Sequence, residues 1–385
     1  MPLRIAHTSG KAAREPRPLA LPTLDGWRAI AISMVIVSHG ADGLLSGTRL
    51  SSATEELRLA GLLGVQIFFG LSGFLITSRL LHEESRRGHI SLRAFYRRRF
   101  FRIIPPAAVF LVALGALALA GLVPLGFTRW LSSLLCFANY SRAPSSWYVG
   151  HFWSLAIEEH FYLLWPSAFL LLATVRRRTR AAAIAALLLA LWRAVDFKFR
   201  ITGSDPAHFW GRTDIQGDGL LWGVCTALVA ADATWGMRLR ALVRSRWIRL
   251  ALAALVLALG FWKPAGWKLA LSLVTVKAIA VPVMIFGTVF APGDWFGRLL
   301  ESPPFRWIGA LSYSIYLWQQ LFFAWHDARV PALRLVQAFP ANLGATLLMA
   351  ILSYYVVERP MIAVGRHLGS ERALPTAIAL SAPQG

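Results

Sequence analysis

Cysteine is almost absent: Cys136 and Cys225 are the only two in 385 residues. They have no CxxC spacing and no companion histidine at ligand distance, so neither a disulfide framework nor a metal site is expected. Acidic residues are scarce as well, 19 against 40 Lys and Arg, and charged residues make up only 15% of the chain. Soluble proteins carry about 25%, so this shortage excludes the two or three water-soluble domains that the length alone would suggest. No repeating unit and no low-complexity stretch is visible. Residues 1–24 are polar and basic, without the apolar stretch and small-residue cleavage motif of a signal peptide, and are expected to form a cytoplasmic tail.

What is abundant is apolar surface: 56% hydrophobic residues, 16 Trp and a mean hydropathy of +0.54. The pattern predicts an all-α integral membrane protein, a bundle of about ten transmembrane helices. The spans are expected near 25–43, 61–81, 105–123, 151–175, 181–195, 214–231, 247–262, 269–290, 306–325 and 341–357. The stretch 125–140 reads as an interfacial or re-entrant piece. With the first span running outward, Lys and Arg fall on the inner side over the outer by roughly two to one, which places both termini in the cytoplasm of a bacterial-type inner membrane. A net charge of +21 in a soluble chain would point to nucleic acid. Here the basic residues cluster between apolar runs, so they orient insertion, and the expected surroundings are membrane lipids with no nucleic-acid partner. The expected organisation is a basic tail 1–24, a membrane domain 25–360 and a short cytoplasmic tail 361–385.

Ionisable groups at membrane depth cost about 2.5–3.5 kcal/mol each on insertion scales, so each is a candidate for function. LDGWRAIAISMVIVSHG places Asp25 as an N-cap, Arg28 in the first turn and His39 at the far end of one helix. Arg28 and His39 face the same way, about 16 Å apart along the axis. The alternative is a snorkelling arginine and an interfacial histidine. HFWSLAIEEHFYLLWP sets Glu158 and Glu159 inside an apolar helix, and because neighbours point about 100° apart, one of the two is expected to face the bundle interior. FYRRRFFRIIPP reads as a cytoplasmic segment in which Arg99 and Arg102 share a face, with Arg98 beside them, and Pro105 and Pro106 open the next span. Guanidinium forks suit phosphate; a topology cluster touching anionic lipid is the alternative. In GVQIFFGLSGFLIT, Gly70 and Gly73 suit close helix packing, and Ser72 between them is placed with the substrate contacts. Asp218, in DGLLWG, lies deeper than Asp214, whose role is adequately explained as a cap.

Taken in order, LDGWRAIAISMVIVSH, GVQIFFGLSGFLIT, FYRRRFFRIIPP, HFWSLAIEEHFYLLWP, DGLLWG, GALSYSIYLWQ and SYYVVERP resemble the acyltransferase family 3 membrane proteins, from residue 24 to 360. The resemblance implies a bundle of about ten helices that takes an acyl group, most often acetyl, from cytoplasmic acyl-CoA as donor substrate, with no bound cofactor. It passes the group to a hydroxyl of a carbohydrate or glycosylated acceptor. The family's first-helix Arg and His fall on Arg28 and His39, its RxxR motif on Arg99 and Arg102, its WSLxxE glutamate on Glu158 and its sixth-span aspartate on Asp218. His39 and Glu158 are then the catalytic pair. Arg28, Arg98, Arg99 and Arg102 hold the donor phosphates, and Asp218, Glu159 and Ser72 contact the acceptor. Three positions depart from the pattern: His160, Gln216 and Gln319 stand where Gln, Arg and His are common. Gln319 argues against an indispensable base at that position. A membrane transporter or exporter of a sugar-linked substrate, acting without acyl chemistry, is the alternative function.

Overall fold

The structure is a computed structural model that describes residues 21–45, 53–203, 206–262, 267–290, 293–324 and 330–370. Among the described residues every regular element is helical. The chain runs through α1 (Pro22–Leu45), α2 (Ala53–Arg87), α3 (Leu92–Leu119), α4 (Phe127–Leu134), α5 (Phe152–Leu171) and α6 (Val175–Phe199). Two short pieces follow, α7 (Pro206–Gly211) and α8 (Thr213–Gln216), then α9 (Asp218–Ala231), α10 (Ala233–Arg244), α11 (Arg246–Phe261) and α12 (Trp267–Phe290). The last group is α13 (Trp295–Leu300), α14 (Pro303–Phe322), α15 (Ala341–Leu352) and α16 (Arg359–Ser370), with a π-helical turn at Ser353–Glu358 joining the final two.

Caps account for several starts. Ser91 accepts from the Ala94 amide at 3.2 Å to open α3, and Thr174 accepts from Arg177 at 3.2 Å to open α6. Asp232 accepts from the Thr234 and Trp235 amides, both at 2.9 Å. It sits where α9 and α10 bend by 105°. Each of these side chains satisfies amides that the first helical turn leaves unpaired.

The expected ten spans are not all reproduced as long apolar helices. Among the described residues, four helices are long and apolar enough to cross a membrane: Leu57–Arg87, Leu92–Leu119, Ser272–Phe290 and Ala341–Leu368. The bent pair α9–α10, counted as one, makes five. The shortfall has two causes. Helices α1, α5 and α14 interrupt their apolar runs with the polar residues that the site uses. Helices α9 and α11 are 14 and 16 residues long, below the ~20 that a span needs.

Two local expectations are also corrected. Asp25 is not a cap, because α1 begins at Pro22 and Asp25 lies inside its first turn. Pro105 and Pro106 do not open a span, because α3 is continuous from Leu92 and carries both prolines within it. The arginine cluster is therefore rigidly joined to the apolar part of the same helix. Helix α16 runs through Ser370, with Gly365 against the Phe101 side chain of α3.

Helices α1, α2, α9 and α14 form the centre, with α2 packed on both α1 and α9 and α1 on both α2 and α14. The α2–α9 crossing depends on small residues. A Cβ on Gly73 would collide with the Leu220 carbonyl oxygen, and one on Gly223 would lie 2.5 Å from the Gly70 carbonyl oxygen and 2.9 Å from the Phe74 amide. The backbones thus touch, as the Gly70 and Gly73 spacing predicted.

Candidate active site

Two adjoining cavities run along the inner face of α2. The first, about 100 Å³, is lined by Ser72 and Ile76 of α2, Arg28 of α1, Arg99 and Arg102 of α3, and Glu158, Glu159 and Tyr162 of α5. The second, about 120 Å³, begins at Ile76, continues along α2 to Arg79 and Glu83, and shares Arg99 and Arg102 with the first. Arg98 of α3 and Arg366 of α16 complete its basic wall. The continuity of α3 is what lets Arg99 and Arg102 separate the two.

Both glutamates line the first chamber, which corrects the expectation that one of them alone would face inward. The cavity lies between α2, α3 and α14, wide enough that side chains about 100° apart on α5 reach it from two sides. Glu158 is held by hydroxyls: Ser72 Oγ donates to its Oε1 at 3.1 Å and the Tyr162 hydroxyl to its Oε2 at 2.7 Å. The Tyr162 and Ser72 oxygens are 3.1 Å apart, closing the triangle. Arg99 stacks its guanidinium over the Tyr162 ring at 5.0 Å. Ser72 thus serves the carboxylate as well as lining the chamber. Arg28 is paired with Asp25 at 2.6 Å, and Arg98 with Glu83 at 3.0 Å. Arg98 lines the second chamber and not the first.

His39 lies at the other end of α1. Its Nδ1 is 2.6 Å from Gln319 Oε1, on α14, and the Trp147 ring packs edge-on at 5.3 Å. Gln319 is fully buried, and its amide nitrogen donates to Gln320 Oε1 at 3.0 Å. That second bond orients the Gln319 amide with its oxygen toward the histidine. An amide oxygen accepts and cannot donate, so Nδ1 carries the proton and Nε2 is the ring's basic nitrogen. Tyr316, which lines the first chamber, precedes Gln319 on α14 by three residues, about 4.5 Å along the axis. The carboxylate of Glu158 is held by Ser72 and Tyr162 and faces the charges of Arg99 and Arg28, while Gln319 is the residue bonded to His39 Nδ1.

Asp218 is placed elsewhere again. It is buried, and both its oxygens are engaged by Arg193 of α6, at 2.9 and 3.0 Å. Arg193, with no exposed surface, also donates to the Ile215 carbonyl at 2.7 Å and to Thr275 at 2.6 Å. Through Arg193, Asp218 ties α9 to α6 and α12. Burial, followed by the charge of Glu159, pushes the Cys136 thiol up to about 11. Both cysteines carry free thiols.

Residues 21–358 match the family described as an acyltransferase domain. The chain belongs to acyltransferase family 3. It is 28% identical over 379 residues to the peptidoglycan O-acetyltransferase OatA of Listeria monocytogenes, covering 89% of this chain and 56% of that protein. A "Putative O-acetyltransferase" of Staphylococcus aureus is 29% identical over 368 residues, covering 88% of this chain and 57% of that protein. The "Putative peptidoglycan O-acetyltransferase YrhL" of Bacillus subtilis is 28% identical over 394 residues, covering 91% and 56%. The chain thus spans just over half the length of these relatives. No solved structure matches it.

Within this acyltransferase domain the sequence reading missed four groups. Tyr162 follows the paired glutamates by one turn, so its approach to Glu158 was available from i, i+4 spacing. Gln319 was noted only as a departure. Glu358, in SYYVVERP, is fully buried and accepts from Ser314 at 2.9 Å. The wide π-turn that carries it is a feature frequent at functional positions. His151 is buried with both ring nitrogens lacking a hydrogen-bond partner, packed edge-on against Phe110 and Tyr316.

Proposed function

We propose that this chain is a membrane O-acyltransferase that moves an acyl group, acetyl by preference, from cytoplasmic acyl-CoA to a hydroxyl of a carbohydrate acceptor. The relatives named as peptidoglycan O-acetyltransferases favour a cell-wall glycan as that acceptor. The observation that carries the reading is the His39–Gln319 bond. It holds the imidazole in the tautomer whose Nε2 can accept a proton, on the same helix as an arginine of the chamber.

The arginine-rich end faces the cytoplasm in this reading, and both termini lie there. The donor's phosphates lie against Arg99 and Arg102, and its pantetheine arm follows α1 past Tyr316 toward His39. Nε2 of His39 removes the proton of the acceptor hydroxyl as its oxygen attacks the thioester carbonyl. The C–S bond then breaks, and the CoA thiolate takes the proton back from the imidazolium. Glu158, held by Ser72 and Tyr162, balances the charge of Arg99 and Arg28 around the chamber.

Purified protein in nanodiscs, given acyl-labelled acetyl-CoA and a soluble cell-wall glycan fragment, tests this reading. Wild type should release CoA thiol and label the glycan, and His39→Ala should do neither while eluting as a folded protein. Uptake of the glycan by proteoliposomes that carry the protein, without thiol release, would replace the enzyme with a transporter.

A further inference from the structure

Arginines outnumber carboxylates in the lining of the second chamber. Arg79, Arg98, Arg99, Arg102 and Arg366 line it against one carboxylate, Glu83. Glu83 is already bonded to Arg98 at 3.0 Å, with Arg87 at 3.9 Å. Among the described residues, no carboxylate forms an ion pair with Arg79 or Arg366, whereas Glu158 and Glu159 face Arg99 and Glu358 faces Arg102. Guanidinium groups converging on one small cavity repel each other strongly, and an anion that accepts their forked donors relieves the repulsion.

The two cavities lie in series. Along α2 the first runs to Ile76, where the second starts, and Arg99 and Arg102 stand at the join. Coenzyme A is built in the same linear order: a thioester arm, a pyrophosphate, then a ribose bearing a separate 3′-phosphate. With the arm in the first chamber and the pyrophosphate at the join, the next charge along the molecule falls in the second chamber. We infer that Arg79 and Arg366, with Arg98, form a subsite for the 3′-phosphate of the donor, so that the enzyme distinguishes coenzyme A from its 3′-dephospho form. This rests on the acyl-CoA reading above and extends it to two residues, on α2 and α16, outside the RxxR segment.

The test is calorimetric binding of coenzyme A and of 3′-dephospho-coenzyme A to the full chain in neutral-lipid nanodiscs. Wild type is expected to bind coenzyme A about tenfold or more tightly than the dephospho form, one charge-assisted contact being worth about that ratio. Arg79→Gln and Arg366→Gln should each shrink the ratio toward one, leaving dephospho-coenzyme A affinity within about twofold of wild type. That second affinity reports folding, and Arg366, exposed on the last helix, decides the matter if Arg79→Gln does not fold. Equal binding of both ligands by wild type overturns the subsite while leaving the donor reading intact. Binding of neither overturns both. Variants that weaken both ligands equally reduce the cluster to general electrostatics. Loss of discrimination on adding phosphatidylglycerol assigns the chamber to an anionic lipid headgroup.

Discussion

His39 and Gln319 stand 280 positions apart in the chain and 2.6 Å apart in space. Because a carbonyl oxygen only accepts, this one contact sets the histidine's tautomer. The Gln319–Gln320 bond in turn sets the glutamine. In the mechanism proposed above, this prepares His39 as the base before any substrate arrives.

Gln319→Leu should lower turnover about tenfold or more, short of the roughly 10²–10⁴ carried by a complete general base, with the KM for donor unchanged. Gln319→Glu retains an acceptor for Nδ1 and should keep more activity than Gln319→Leu. Steady-state kinetics with labelled acetyl-CoA would check both. Equal activity of Gln319→Leu and wild type would remove the orienting role.

Asp218→Ala should destabilise the protein by about 3–5 kcal/mol, because it leaves Arg193 charged and unpaired in the interior. The double replacement Arg193→Leu, Asp218→Ala should recover part of the loss. Thermal unfolding of detergent-solubilised protein measures this. A normal midpoint for Asp218→Ala together with weakened acceptor binding would return Asp218 to the acceptor site that the sequence motif suggested.

Gly73→Val should prevent assembly, since the added carbons meet the Leu220 carbonyl on a neighbouring backbone that cannot move aside. Overpacking of this kind costs about 1–3 kcal/mol or more. Size-exclusion chromatography of a fluorescent fusion should show aggregate where Gly344→Ala, at an open position inside α15 with nothing within 4 Å, gives a monodisperse peak.

Cys136 should react slowly with maleimide at neutral pH. Its thiol is pushed up to about 11, so the thiolate that attacks is far rarer than for an ordinary cysteine near 8.5, and labelling should be more than about tenfold slower. In a Cys225→Ala background the rate should climb steadily as pH rises from 7 toward 10. A rate at pH 7 equal to that of a free peptide thiol would contradict the raised thiol of the half-buried Cys136.

Much of the architecture was written in one-dimensional pattern. Apolar runs separated by arginine clusters marked the helices, the order of the motifs marked the family, and Gly70 and Gly73 marked a helix crossing. Arg99 and Arg102 were legible as one helical face from their spacing, and Arg28 joined them as donor contacts only through the order of the family's motifs. The continuity of α3 through Pro105 and Pro106 was not legible. A proline pair weakens a helix without always ending it, and packing makes the choice.

The sequence by itself determined that this is an all-helical, arginine-rich acyltransferase-family chain, because composition and motif order are properties of the string. Only the tertiary structure decided what each buried polar group faces. It gave Asp218 to Arg193, Glu158 to Ser72 and Tyr162, and His39 to Gln319. Periodicity records where a side chain points on its own helix. The partner it meets is set by how separate helices pack, and that depends on every contact in the bundle at once.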